Sequence, residues 1–383
     1  MAISTEGKAF SAYITLFQKC SYNQPINLEA EGNTFFYKFT LWTGLNLNCF
    51  IFRYTAVSLG VVSCIYVCMG KLNGHFNSIP FWISFLQVML AILGTYTLWM
   101  DVAFGKKGNL LEMVWRALAY QLQQGHSGIP STKFDPVGFF LLIMVTSFFL
   151  LVPTMSFIFL YFKIDPYIYV LPNNEHIVSI LLRVTLSASC VFEAFNVLAF
   201  TILLSITFTR VTSNMVRKIG RISLWDKLIE NYRILHIIIQ VITPFSSMLI
   251  VGTMLLGLVI GVMFNFVSIA LANKIPALFY PFFPAVSGLI MYCMMVIVQF
   301  AVNLHTETED ILVRAQKMIC GMIPLSAQKE TRIRTRTLKS MKVTNFKGGA
   351  AGFCFYDLDK SIKRAFYMAY VEYTIDALLS IEV

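Results

Sequence analysis

Residues 365–383 read Ala365-Phe366-Tyr367-Met368-Ala369-Tyr370-Val371-Glu372-Tyr373-Thr374-Ile375-Asp376-Ala377-Leu378-Leu379-Ser380-Ile381-Glu382-Val383. As a helix these 19 residues are about 28 Å long, enough to cross a bilayer's hydrocarbon core. Glu372, Asp376, Leu379 and Val383 fall at i, i+4, i+7 and i+11 and share one face. Two carboxylates on one face of a lipid-embedded helix are prohibitive for a lone protomer. They are acceptable where several copies surround a water-filled pore. Acidic rings favour cations, and an apolar ring such as that of Leu379 closes a pore by dewetting. The competing reading is a partly inserted tail with its acids at the outer interface.

The rest of the chain supports a membrane setting. Of 383 residues, 57% are hydrophobic and 13% charged, against about 25% charged in soluble domains. Mean hydropathy is +0.68. Segments near 49–69, 81–104, 136–162, 177–208, 244–272 and 277–303 each hold the roughly 20 apolar residues a span needs. The weaker segment 356–381 makes a seventh. This is an all-α, polytopic, seven-span chain. It divides into a segment 1–48 carrying a short amphipathic helix near 9–18, a bundle 49–304, a loop or anchor 305–355, and a last span 356–383. The helical spacing of apolar residues in 212–240 and 305–320 extends spans four, five and six beyond the membrane. The first apolar run begins near Cys49, too late for a cleaved leader, and reads as an uncleaved signal anchor.

Lys and Arg set the orientation. The N-terminal segment and the loops after spans two, four and six hold 22 of them, and the loops after spans one, three and five hold 3. The positive-inside rule therefore puts the N-terminus in the cytoplasm and the C-terminus outside. A G-protein-coupled receptor has the opposite sense. Span three ends Tyr161-Phe162-Lys163, without Asp-Arg-Tyr, and the last span lacks Asn-Pro-x-x-Tyr. That receptor class stays as an alternative, as does a secondary transporter using Arg183 and Glu193, although no inverted repeat is readable.

Catalytic and cofactor motifs are absent from the sequence. There is no Gly-rich phosphate loop, His-Glu-x-x-His or Cys-x-x-Cys. The five histidines are scattered, so neither enzyme chemistry nor a metal or other cofactor is expected. The net charge of +10 lies between apolar runs rather than on an aromatic-interleaved surface, which argues against nucleic acid. Span four carries Arg183 and Glu193, too far apart along a helix to pair, with Asn196 one turn beyond. They either face a hydrated, ligand-accessible pocket or hydrogen-bond a neighbouring helix.

Several short motifs resemble the insect-type gustatory and odorant receptor superfamily. Asp165-Pro166 follows span three and precedes Leu171-Pro172. Ala351-Gly352-Phe353 and Asp357-Leu358-Asp359-Lys360-Ser361 lead into the final span. The last-span signature is present in divergent form: Tyr373 stands at its Tyr, Glu372 replaces Thr, Asp376 interrupts the apolar run, and Leu379-Ser380 replace Gln-Phe. The Gly-Phe element favours the gustatory branch.

The resemblance implies a multi-pass plasma-membrane receptor that is a ligand-gated, non-selective cation channel. Its agonist is a small organic tastant and its permeant ions are monovalent and divalent cations. It further implies a homo- or hetero-tetramer, with Tyr373 joining Glu372, Asp376, Leu379 and Val383 along the pore and cytoplasmic extensions anchoring the subunits. The ligand pocket then lies in the outer half of spans two to six. Phe81, Phe85, Phe157, Tyr161, Arg183, Asn265, Tyr280 and Phe283 lie in that half of the bundle.

Overall fold

The computed structural model describes residues 5–18, 26–31, 34–39, 44–76, 78–124, 135–171, 177–277, 280–320, 328–350 and 353–380. Helix α1 is Thr5–Tyr13, prolonged by a wider turn Ile14–Gln18. The long helices are α2 Gly44–Leu72, α3 Phe81–Gln124, α4 Pro136–Tyr161, α5 Ile177–Gly220, α6 Trp225–Ala270 and α7 Phe282–Cys320. Two shorter helices follow, α8 Gln328–Ser340 and α9 Lys360–Ser380. Among the described residues, six helices are long and apolar enough to cross a membrane. They match the six clear spans of the sequence. The multi-span, essentially all-helical class stands.

Two antiparallel hairpins were not expected. Strands β1 Ile26–Glu31 and β2 Thr34–Phe39 pair within the N-terminal segment. Strands β3 Lys347–Ala350 and β4 Phe353–Asp357 pair just before α9. The last helix therefore begins at Lys360 rather than 356, because 353–357 is strand. A Cβ on Gly348 would run into the Tyr356 ring, so glycine there lets the hairpin close.

Helices α5, α6 and α7 run to about 60–70 Å, twice a bilayer core. They continue past the bundle at one end, and the described connecting residues 73–76, 162–171 and 271–277 lie at the other. At the extended end Arg217 Nε and Glu307 Oε1 pair at 2.6 Å across α5 and α7. The segment after α8 is fastened to α6 and α7. Tyr232 Oη donates to Lys342 O at 2.7 Å and Thr308 Oγ1 to Thr344 O at 2.9 Å. Phe346 is buried against Phe208.

The amphipathic N-terminal helix packs into the bundle and does not lie on its surface. Phe10, Tyr13 and Phe17 are buried in the main core, with Phe17 against Phe149 and Phe192 and Tyr13 against Phe200. An aromatic face that finds this much apolar surface is buried rather than left at an interface.

Helix α9 has a defined start. Asp359 Oδ1 accepts from Ser361 N at 3.0 Å, Ile362 N at 2.9 Å and Ser361 Oγ at 2.7 Å. This is an N-cap, and Leu358 beside it is fully buried. The Leu-Asp-x-Ser stretch is thus a buried anchor followed by a cap. The hydrogen bond from the Ile362 amide, then that of the Ser361 hydroxyl, holds the Asp359 carboxyl below the usual carboxylate range. Its stabilisation is full above the ordinary aspartate pKa and is lost as pH falls through the lowered one. Asp359→Ala should cost about 1 kcal/mol and increase amide exchange in the first turn of α9. Wild-type exchange rates in that turn would contradict the cap.

Candidate functional site

Two features stand out, a cavity inside the bundle and the unpacked face of α9. The cavity, about 230 Å³ in volume, is walled by all six long helices. Its wall includes Cys64 of α2, Leu90 and Tyr96 of α3, Phe159 of α4, Cys190 and Thr201 of α5, Thr253 of α6 and Met294 of α7. It lies toward the end of the bundle that bears the short connections. Among the described residues, no charged side chain lines it.

A buried ion pair closes that end. Asp165, with no solvent exposure, accepts from Arg183 Nε at 2.8 Å, Ser187 Oγ at 3.2 Å and the Tyr167 amide at 2.9 Å. Asp165 caps the short 3-10 turn Pro166–Tyr169. Pro166 and Tyr167 of that turn face the cavity. The Tyr167 hydroxyl donates to Ala56 O at 3.1 Å and lies 3.0 Å from Cys190 Sγ.

The ten residues expected to bind ligand are dispersed. None is in the cavity wall. Phe81 and Phe85 lie 6.1 Å apart, with Phe85 reaching Phe266 at 5.2 Å. Phe157 and Tyr161 stack on the exposed side of α4. Phe283 is buried against Phe264, and Tyr280 Oη donates to Ser268 O at 2.9 Å. Arg183 is taken by Asp165. Asn196 accepts from Tyr13 Oη at 2.8 Å, so both make the neighbouring-element contacts that were one of the two readings. Glu193 is buried on α5. The wall residues carried no distinguishing sequence signal. The small residues Gly60, Gly94, Ala194 and Gly257 in the wall read from the sequence simply as close helix packing.

Helix α9 has two unlike faces. Phe366 and Tyr370 are buried against α6. A Cβ on Gly261 would lie 2.6 Å from the Tyr370 ring, so glycine admits that ring. Asn265 Nδ2 donates to Tyr370 Oη at 3.1 Å and to Thr374 Oγ1 at 3.4 Å, and Ser287 Oγ donates to Asn265 Oδ1. These bonds tie α9 to α6 and α7, and Asn265 serves this junction.

On the other side, Val371, Glu372, Tyr373, Ile375, Asp376 and Leu379 are exposed, Leu379 at 78%. Neither Glu372 nor Asp376 makes an ion pair with any described residue. Both line an open groove of about 1260 Å³ beside α7, together with Gln299, Asn303, Lys363 and Arg364. Lys363 Nζ donates to Gln299 Oε1 at its lower end. Val383 lies outside the described residues, as do Pro172, Ala351 and Gly352 of the sequence motifs.

The fold is similar to that of the insect olfactory receptor OR5 from Machilis hrabei in complex with eugenol. The TM-score is 0.60 at 9% identity, covering 97% of this chain and 98% of that one. A further structure of OR5 from Machilis hrabei matches with a TM-score of 0.60 and 9% identity over 97% of each chain. No protein-family model matches the sequence, and no curated protein matches it. At this identity the shared property is the arrangement of helices. The chain thus shares the fold of that insect olfactory receptor.

Proposed function

We propose that this chain is a subunit of a chemosensory, ligand-gated, non-selective cation channel of the plasma membrane. Four copies, identical or mixed, gather so that the exposed faces of their α9 helices enclose a pore. Glu372 and Asp376 attract cations, Tyr373 contributes to the wall, and Leu379, with Val383 beyond it, closes the path when the ligand is absent. The N-terminus is cytoplasmic and the chain end extracellular. Residues 49–304 hold the ligand, the extended ends of α5 to α7 with 305–355 join the subunits, and 356–383 conduct. A small organic tastant is the agonist, a gustatory role supported by the Gly352-Phe353 element.

The observation that carries this reading is the division of α9. One face is fastened to α6, and the exposed one carries two carboxylates with no ion-pair partner among the described residues, which this reading places at membrane depth. Facing lipid, each would cost about 2.5–3.5 kcal/mol even on the lenient insertion scales. Facing water shared with neighbouring copies removes that penalty. A cavity within the same bundle gives a small molecule a place from which to bias the helices, by binding one arrangement more tightly than the other. The insect olfactory receptor OR5 from Machilis hrabei, which shares the fold, has been solved in complex with eugenol.

Planar-bilayer recording of the purified full chain tests the proposal. Unitary cation currents are expected, with open probability raised by small organic agonists. Saturable solute uptake without unitary events would replace the channel by a transporter. Antibody access to an N-terminal tag on intact cells would overturn the orientation.

A further inference from the structure

The interior cavity has an unusual distribution of polar atoms. Its wall carries no ionised group, and most of its hydrogen-bonding side chains are engaged within the chain. Ser187 Oγ is held by Asp165, and Tyr167 Oη by Ala56 O. One cluster is different. Tyr96 of α3, Thr201 of α5 and Thr253 of α6 all face the cavity, and all three are buried. Tyr96 Oη and Thr253 Oγ1 are 3.4 Å apart, a long contact. Thr201, with no solvent exposure, has no partner for Oγ1 within ordinary hydrogen-bond geometry, and its hydroxyl sits beside that of Tyr96. Thr209 and Thr212 of α5 satisfy the hydroxyl through the carbonyl one turn back; Thr201 and Thr207 do not, and of these two only Thr201 lines the cavity. A buried hydroxyl left unmatched costs about 1–3 kcal/mol, and a polar atom supplied from the cavity would recover much of that.

We infer that Tyr96, Thr201 and Thr253 form a hydrogen-bonding subsite that selects small, uncharged, mainly apolar ligands bearing a hydroxyl. The inference rests on the proposed ligand role of the cavity and adds its chemical class. A sugar or an amino acid would bury several polar or charged groups against aliphatic wall with no partner, a loss of several kcal/mol. A volume of about 230 Å³ lies below the usual ligand-pocket range of roughly 300–1,000 Å³, so only compact molecules enter. Within that class the hydroxyl sets orientation, and the hydrocarbon body supplies affinity through buried area. A site built to hydrogen-bond discriminates against an analogue that leaves its polar atoms unmatched.

The test uses the full chain in lipid nanodiscs, with empty nanodiscs as the partition control. Two probes of matched shape, 4-ethylphenol and 4-ethyltoluene, are titrated at equilibrium. The phenol should bind about tenfold more tightly, the equivalent of one net hydrogen bond. Thr201→Val and, separately, Tyr96→Phe should bring the phenol down to the hydrocarbon's affinity while hydrocarbon binding stays unchanged, which also reports an intact cavity. Equal binding of the two probes by the wild-type chain, or a preference surviving both substitutions, would overturn the subsite and leave the cavity standing. Binding of neither probe above the empty nanodiscs would remove the ligand role of the cavity itself.

Discussion

In a Glu372→Gln, Asp376→Asn double variant, cation current through the reconstituted channel should fall at least severalfold, with the preference for cations over anions lost. The reason is the one-face geometry. Both carboxylates are exposed on the side of α9 opposite Tyr370, so four copies around an axis would bring eight negative charges to one stretch of pore. Such rings raise the local concentration of counter-ions. Amide replacements keep the shape and remove the charge, so the helix should remain packed through Phe366 and Tyr370. Reversal-potential shifts in a salt gradient read the preference directly. Unchanged unitary conductance and selectivity would show that the ions travel elsewhere.

The second large effect concerns Asp165. Asp165→Ala should destabilise the bundle by about 3–5 kcal/mol, because it strands the Arg183 guanidinium in a site with almost no solvent exposure. It also removes the cap of the Pro166–Tyr169 turn, two residues of which wall the cavity, so ligand affinity should fall with stability. Thermal unfolding in detergent measures the first effect. Asp165→Leu with Arg183→Met should recover much of the loss, since replacing both partners of a buried pair by apolar groups of similar volume is often nearly neutral. If the single and double variants were equally destabilised, the cost would lie in the turn and not in the ion pair.

The sequence made the two ends of this account legible to different degrees. The spans followed from apolar run length, and the acidic face of α9 from i, i+4 spacing, because both are local properties of one helix. Arg183 announced that a charge in a span needed explaining. Its partner Asp165 lies 18 residues away on another element, and no periodicity links them. The cavity wall was illegible for a related reason: aromatic residues make up 15% of the chain and occupy every one of the six long helices, so their presence does not mark an inward face. The expected ligand set followed depth in the membrane and ignored rotation about each helix axis. That is how Phe157 and Tyr161, on the exposed side of α4, entered it. The first hairpin did leave a signal. Two runs with strand-like content flank Gly32-Asn33, a two-residue link of the kind that joins antiparallel strands.

The proposal as a whole depends on where α9 faces in the assembled protein. Single-particle reconstruction of the purified full chain in nanodiscs decides this most directly. Four-fold symmetry is predicted, with Glu372, Asp376 and Leu379 of each copy turned to a central water-filled axis. A single protomer, or an assembly in which those three side chains meet acyl chains, would contradict it.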